Sequence, residues 1–70
     1  MSEIKNLSSK NTSGVSLIRQ GYSISEFSES QKEIEQKAKL LKGIYDSVIV
    51  FHDISDKAPH YKDEWYIYVK

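Results

Sequence analysis

The sequence predicts an α+β domain in which one helix packs on a small, mainly antiparallel sheet. A segment near the middle of the chain has the start signal, apolar stripe and charge pattern of an amphipathic helix. Segments rich in β-branched and aromatic residues lie on either side of it, at 15–19, 44–54 and 64–70. The predicted order is β-α-β-β, with a short N-terminal edge strand as an additional element.

Residues 1–13 are predicted to be a flexible or weakly ordered N-terminal segment, and residues 14–70 a single α+β domain. Ile4 and Leu7 are three positions apart, which does not match the alternation of a strand. The alternative is an edge strand over residues 3–8, which the turn-forming run at 10–14 folds back onto the next strand.

Residues 15–19 are predicted to form the first full strand, because apolar side chains alternate along them. Gly21 then permits a bend. Tyr22 and Ile24 either extend this strand or connect it to the helix. Phe27 is expected to pack against the core at the start of the helix.

Two overlapping capping boxes precede the helix, Ser28 with Gln31 and Ser30 with Glu33. The second box fits better, because it places the first apolar residue of the stripe one position later. The helix is therefore predicted to begin near Gln31. Gly43 follows the last periodic residue and is predicted to provide a left-handed C-cap.

Ile34, Ala38 and Leu41 are spaced four and three apart and therefore share one face of this helix, which Leu40 is expected to widen. Glutamate-before-lysine pairs at i,i+4 lie on the other face: Glu33 with Lys37, and Glu35 with Lys39. The apolar face predicts packing on the sheet, and the charged face predicts exposure to water.

The strand predicted at 44–54 is apolar on both faces at its centre, residues 48–51, which is typical of a central strand. The helix can cover one face, so neighbouring side chains or a partner chain must cover the other. Asp56 and Pro59 predict a hairpin loop after this strand. In the last strand, Trp65, Ile67 and Val69 are predicted to face the core, with Tyr66 and Tyr68 on the open face.

Composition limits the classes of function. Ten basic and ten acidic side chains cancel, so the basic patch typical of nucleic-acid binders is missing. The chain has no cysteine, which excludes disulfides and thiolate metal sites. The N-terminus lacks a signal-peptide pattern and no apolar run is long enough to span a bilayer. We therefore expect a cytoplasmic protein without a membrane partner.

The only cluster of potential metal ligands contains His52, Asp53, Asp56 and His60. Its spacing matches no known ligand signature, and strand alternation directs His52 and Asp53 to opposite faces. The three glycines form no phosphate loop, and no serine lies in a Gly-x-Ser-x-Gly turn. We expect no metal, no cofactor and no catalytic residue. A metal protein or enzyme using His52 and His60 is the remote alternative.

Aromatic residues are the most informative feature for function. Candidate partner-binding residues are Tyr61, Trp65, Tyr66 and Tyr68, with Phe51 on the preceding strand. Exposed aromatic side chains are enriched at interaction surfaces. The sequence therefore predicts a small non-enzymatic protein-interaction module, a regulator or inhibitor that binds a macromolecular partner. Phages and other mobile elements often encode regulators of this size, which is an analogy only.

Two other partners fit the same residues. The first is a second copy of the chain, because a homodimer adds the burial that a 70-residue core lacks. The second is a single-stranded nucleic acid stacked on Tyr66 and Tyr68, with Lys57, Lys62 and Lys70 on phosphates. The sequence lacks the aromatic signature of RNA-recognition modules, so nucleic acid is not favoured.

Overall fold

The sheet has four strands and carries two helices. In the computed structural model, which describes residues 3–54 and 63–70, the elements follow the order β1 (Ile4–Ser8), α1 (Gly14–Arg19), β2 (Ser23–Ser28), α2 (Gln31–Leu41), β3 (Val48–Asp53) and β4 (Glu64–Val69). The spatial strand order is β1-β3-β4-β2. β1 lies parallel to β3, and the other two pairings are antiparallel. The α+β class and the main helix are confirmed, and so is the alternative of an N-terminal edge strand. This strand pairs in parallel with β3 and does not fold back onto the element that follows it.

Two serines fix the start of α2. The Ser30 hydroxyl accepts from the backbone N–H of Glu33 at 3.4 Å, as an N-cap residue does. The Ser28 hydroxyl accepts from the backbone N–H of Ser30 at 3.0 Å and donates to the Glu33 carboxylate at 2.8 Å. The predicted start at Gln31 is confirmed, and the Glu33 side chain bonds Ser28.

The end of α2 differs from the prediction. Lys42 is the C-cap in a right-handed conformation, and the Leu41 carbonyl accepts from the N–H groups of both Ile44 and Tyr45. Among the described residues, Gly21 has a positive φ, of 97°, and Gly43 does not. The left-handed cap at Gly43 is therefore wrong, because backbone bonds to Leu41 close the helix without one.

α2 covers one face of the sheet, called here the helix face. Ile34 and Ala38 are fully buried there, and Leu41 is partly buried against the same cluster. The strand side chains in this cluster are Val48, Val50, Ile67 and Val69. Leu40 is 74% exposed and does not widen the stripe, contrary to expectation.

The strand predicted at 15–19 is wrong, because these residues form α1. The Ser13 hydroxyl caps the helix by accepting from the Ser16 N–H at 3.1 Å. Leu17 is 2% exposed and packs in a second cluster with Ile49, Phe51 and Tyr68, on the sheet face opposite α2. The spacing of Val15 and Leu17 resembles a strand, but only Leu17 is buried.

The strand that precedes α2 is β2, and its register explains a second error. Ile24 pairs with Tyr68 and Glu26 with Ile67, so one extra residue, Ser25, forms a bulge between them. After the bulge, Phe27 lies on the face opposite α2 and is 48% exposed. The expectation that Phe27 packs against the core at the start of the helix is wrong.

β3 is the central strand that the sequence predicts, and both of its faces are covered. Its side chains pack alternately against α2 and against α1. It begins at Val48, so Ile44 and Tyr45 lie outside it and are exposed. β3 and β4 pair as the two arms of a hairpin. The predicted loop residues Asp56 and Pro59 lie outside the described part of the chain.

Leu17→Ala tests whether α1 is a second packing layer. We expect a loss of about 2–5 kcal/mol in the free energy of unfolding, because a buried leucine leaves a cavity. Ile18→Ala in the same helix is the control: Ile18 is 53% exposed, and alanine favours the helix. Chemical denaturation of both variants measures the difference. Equal losses in the two variants would contradict this packing.

Candidate functional site

Four aromatic rings form a continuous row across β2, β4 and β3 on the face opposite α2. We call Phe27, Tyr66, Tyr68 and Phe51 the aromatic row. The Phe27 and Tyr66 ring centroids are 5.2 Å apart, those of Tyr66 and Tyr68 are 6.4 Å apart, and those of Tyr68 and Phe51 are 5.7 Å apart. Tilted and edge-on contacts at these distances are favourable. They hold the rings in one arrangement across three strands.

The bulge in β2 extends this row with a further apolar side chain. Because Ser25 is the extra residue, Ile24 and Phe27 lie on the same face although they are three positions apart. Both sit beside the tyrosines, Ile24 opposite Tyr68 and Phe27 opposite Tyr66. The two side chains are 50% and 48% exposed. They form an exposed apolar surface at the β2 edge, which Tyr66 adjoins.

The inner end of the aromatic row is buried. Tyr68 is 4% exposed, and Phe51 is similarly covered, because both pack against Leu17 of α1. Tyr66 is half-buried between the two ends. Of the predicted partner-binding residues, Tyr66 therefore lies at the accessible part of this face, whereas Phe51 and Tyr68 support it from below.

A cleft of about 320 Å³ lies between the aromatic row and the segment that leads into α1. The residues that line it are Ser9, Thr12, Ser13, Gly14, Ile24, Phe51, Asp53, Tyr66 and Tyr68. Phe51 and Tyr68, the buried ones, form its floor. Gly14 lies directly against the Tyr68 hydroxyl, so closely that a Cβ atom at this position would collide with it. The glycine allows the helix to approach the ring.

Two carboxylates make this end of the open face negative. Asp53 at the end of β3 pairs with Glu64 at the start of β4. The Tyr66 hydroxyl donates to Glu64 at 2.8 Å, and this bond, with burial and the charges of Glu64 and Asp53, raises the pKa of Tyr66 to about 12. Burial and then the Asp53 charge raise the pKa of Tyr68. The ion pairs found among the described residues, Lys37 with Glu26 and His52 with Asp63, do not involve either carboxylate.

Trp65, another of the predicted aromatic residues, is not part of this surface. Trp65 lies on the helix face, where it stacks on His52 with a centroid distance of 4.4 Å and an interplanar angle of 6°. Tyr61 lies outside the described residues. The aromatic row contains Phe27 and not Trp65, because alternation along β4 directs Trp65 to the helix face.

His52 and Asp53 point to opposite faces of β3, as alternation predicts. Nε2 of His52 lies 3.2 Å from Oδ2 of Asp63, which is close enough for an ion pair when the imidazole is protonated. Their alignment does not make a hydrogen bond, so Nε2 is buried without a partner in the structure. Residues 3–54 and 63–70 contain no group of three potential ligands around a common point. His60 lies outside these ranges.

Lys70 does not extend toward the aromatic row. Its ammonium group donates to the Gln20 carbonyl at 2.9 Å and lies 5.4 Å from the centroid of the Tyr22 ring. Lys57 and Lys62, the other two lysines considered for phosphate contacts, lie outside the described residues. The described part of the open face therefore combines aromatic rings with acidic groups.

Sequence reasoning misses Ile24 and Phe27, the two most exposed apolar side chains of this surface. Strict alternation would separate them onto opposite faces, and only the bulge at Ser25 unites them. A signal does exist, since residues 22–28 are rich in aromatic and β-branched residues mixed with serine. It indicates a strand but does not specify its register.

Comparisons of the chain with protein-family models, with curated proteins and with solved structures find no match. Within the described residues, neither helix has the length and apolar character needed to cross a bilayer. The geometry and chemistry of the open face are the observations on which the functional argument rests.

Gly14→Ala tests the contact between α1 and the aromatic row. We expect it to destabilise the fold by about 1–3 kcal/mol, because the new methyl group meets the hydroxyl of a rigid, buried ring. In a Tyr68→Phe background the obstructing oxygen is absent, and the same change should be neutral or stabilising, since alanine favours a helix. Thermal denaturation of the wild type, the two single variants and the double variant completes a double-mutant cycle. An equal effect in both backgrounds would contradict the contact.

Titration of Tyr66 tests the negative field at the cleft. We expect its pKa, about 12 in the folded protein against 10.0 for the unperturbed group, to fall toward 10 in Glu64→Gln. Because the folded-state pKa is raised, this interaction stabilises the fold below about pH 10, and the contribution is lost as the pH rises through about 12.

The difference in phenolate absorbance between the protein and its Tyr66→Phe variant isolates this group. Glu35→Gln, the same substitution on the exposed side of α2, is the control and should leave the titration unchanged. A Tyr66 pKa that stays near 12 in Glu64→Gln would show that Glu64 does not raise it.

Proposed function

We propose that the chain is a small, non-enzymatic module that binds another protein through the open face of its sheet. The observation that carries this proposal is the exposed surface formed by Ile24 and Phe27, with Tyr66 beside them. Aromatic and aliphatic side chains that a rigid sheet holds in place lose little entropy on binding. A partner that covers them gains apolar burial without reordering the module.

Side chains, more than main-chain pairing, support this binding mode. β2 is an edge strand, so its outer backbone groups are unpaired within the sheet. The bulge at Ser25 interrupts the regular spacing of those groups and limits pairing with an added strand. The proposed contact therefore involves the face of the strand, with edge pairing restricted to residues 26–28.

The charges favour a protein over a nucleic acid. Asp53 and Glu64 lie beside the aromatic row, and a phosphate backbone would be repelled there. Tyr68 is buried under α1, so its ring is not accessible for base stacking. Stacking proteins expose their rings along a basic groove, whereas the part of this face beside Tyr66 holds the carboxylates of Asp53 and Glu64.

A second copy of this chain is the alternative partner for the same surface. An apolar patch at a sheet edge and a net charge of zero both favour self-association. A cytoplasmic location belongs to the same proposal, supported by the absence of cysteine.

Peptide selection on the immobilised protein tests the proposal. Peptides selected from a random phage-displayed library should bind the double variant Ile24→Thr/Phe27→Thr at least about tenfold more weakly, because the apolar anchors are lost. Threonine retains the preference for a strand. Leu40→Gln is the control: it removes a residue that is 74% exposed on α2 and should leave binding intact.

Retained affinity in the double variant would overturn the proposal, as would an equal loss in Leu40→Gln. Sedimentation of the wild type and the double variant over a range of concentrations identifies the partner class. A dimer that only the wild type forms would establish the second copy as the occupant of this surface.

A further inference from the structure

Among residues 3–54 and 63–70, the cleft beside the aromatic row is lined by hydrogen-bond acceptors and by no basic side chain. Tyr68 is 4% exposed, and its hydroxyl lies at the wall that Gly14 forms. The Asp53 carboxylate lines the same cleft and has no ion pair in the described structure. A carboxylate that no described basic group pairs with favours a ligand that donates hydrogen bonds.

The remaining polar groups of the cleft have the same character. The Ser13 hydroxyl accepts from the Ser16 N–H, and the Ser9 hydroxyl accepts from the Ile54 N–H at 3.0 Å. Each oxygen retains a lone pair. The described residues that line the cleft include no lysine, arginine or histidine. A negatively charged ligand would meet repulsion from Asp53, whereas a cation would not.

The aromatic side chains add a second attraction of the same sign. Of the three rings that line the cleft, Phe51 and Tyr68 are buried and Tyr66 is half-buried, so Tyr66 is the ring that a ligand can reach. The face of an aromatic ring carries partial negative charge. A cation over such a face is stabilised by about 0.5–1 kcal/mol at an exposed site and by more when water is excluded. The aromatic lining and the Asp53 carboxylate therefore both favour a positively charged group.

We propose that this cleft receives an arginine side chain of the protein that binds the open face. A guanidinium group is planar, carries five N–H donors and has no acceptor, so it suits a site made of acceptors and ring faces. It is also more weakly hydrated than an ammonium group, so it enters an apolar-floored cleft at lower cost. This inference rests on the proposed function and specifies the chemistry of the partner.

One extended segment of the partner can occupy both the cleft and the apolar surface at the β2 edge. Ile24 lines the cleft and is half exposed, so it joins the cleft to the apolar surface at the β2 edge. In an extended segment, alternate side chains point to the same side. An arginine in the cleft thus places apolar residues two positions away over Ile24 and Phe27.

Two synthetic peptides test the inference: acetyl-Val-Thr-Arg-Thr-Val-amide, and the same peptide with citrulline in place of arginine. Citrulline keeps the shape and removes the charge. Amide chemical shifts of the labelled protein are followed as each peptide is added. We expect the arginine peptide to shift residues that line the cleft and to bind at least about fivefold more tightly than the citrulline peptide.

Asp53→Asn should reduce the ratio of the two affinities to near one, because it removes the carboxylate without changing its shape. Asp46→Asn is the matched control. This variant makes the same change of charge at an exposed position just before the start of β3, whereas Asp53 lies at the end of that strand. The Asp46→Asn protein should retain the full ratio of the two affinities. Tyr68→Phe keeps the ring and should weaken the arginine peptide more than the citrulline peptide.

Equal binding of the two peptides at the cleft would overturn the arginine inference and leave the proposed function standing. Shifts confined to another part of the molecule, or no binding of either peptide, would also overturn it. A lysine peptide that binds as tightly as the arginine peptide would overturn the preference for guanidinium. The peptide-selection experiment tests the proposed function separately. That function fails if the selected peptides still bind when Ile24 and Phe27 are replaced.

Discussion

The structure depends on the burial of β3, a strand whose residues are apolar on both faces. Val48 and Val50 pack under α2, and Ile49 and Phe51 pack under α1. The two covers are unequal, because α2 has eleven residues and α1 has six. α1 buries only Leu17, so it protects part of its face and leaves the area toward β2 open. The surface proposed for binding is the part of this sheet face that α1 does not cover.

The proposed site combines two features that arise from separate parts of the chain. The β2 bulge brings two apolar side chains to the open face, and the β3–β4 pairing sets Asp53 and Glu64 beside them. Apolar area provides affinity, whereas charges mainly discriminate between partners. The apolar surface alone favours no particular charge on the partner. The carboxylates of Asp53 and Glu64 beside it favour a positively charged partner.

Local signals are sufficient to predict the start and the buried face of α2, because its N-cap and its buried residues lie within about a dozen consecutive residues. They also predict the sides of β4, since Ile67 is buried on the helix face and Tyr66 lies opposite. They fail for α1, whose six residues are too few to separate a helical period from alternation. They fail again at Ser25, because the register of a strand is set by its neighbour. Whether residues 1–13 are less ordered than the rest stays a prediction, although Ile4–Ser8 pairs with β3.

The strand order also constrains when the sheet can assemble. Both edge strands, β1 and β2, come from the first half of the chain, and both central strands come from the second half. β1 pairs with β3 and β2 pairs with β4, so the partner of each edge strand lies some forty residues further along the sequence. Such non-local closure makes folding slow. During synthesis the two edge strands are therefore made before the strands with which they pair.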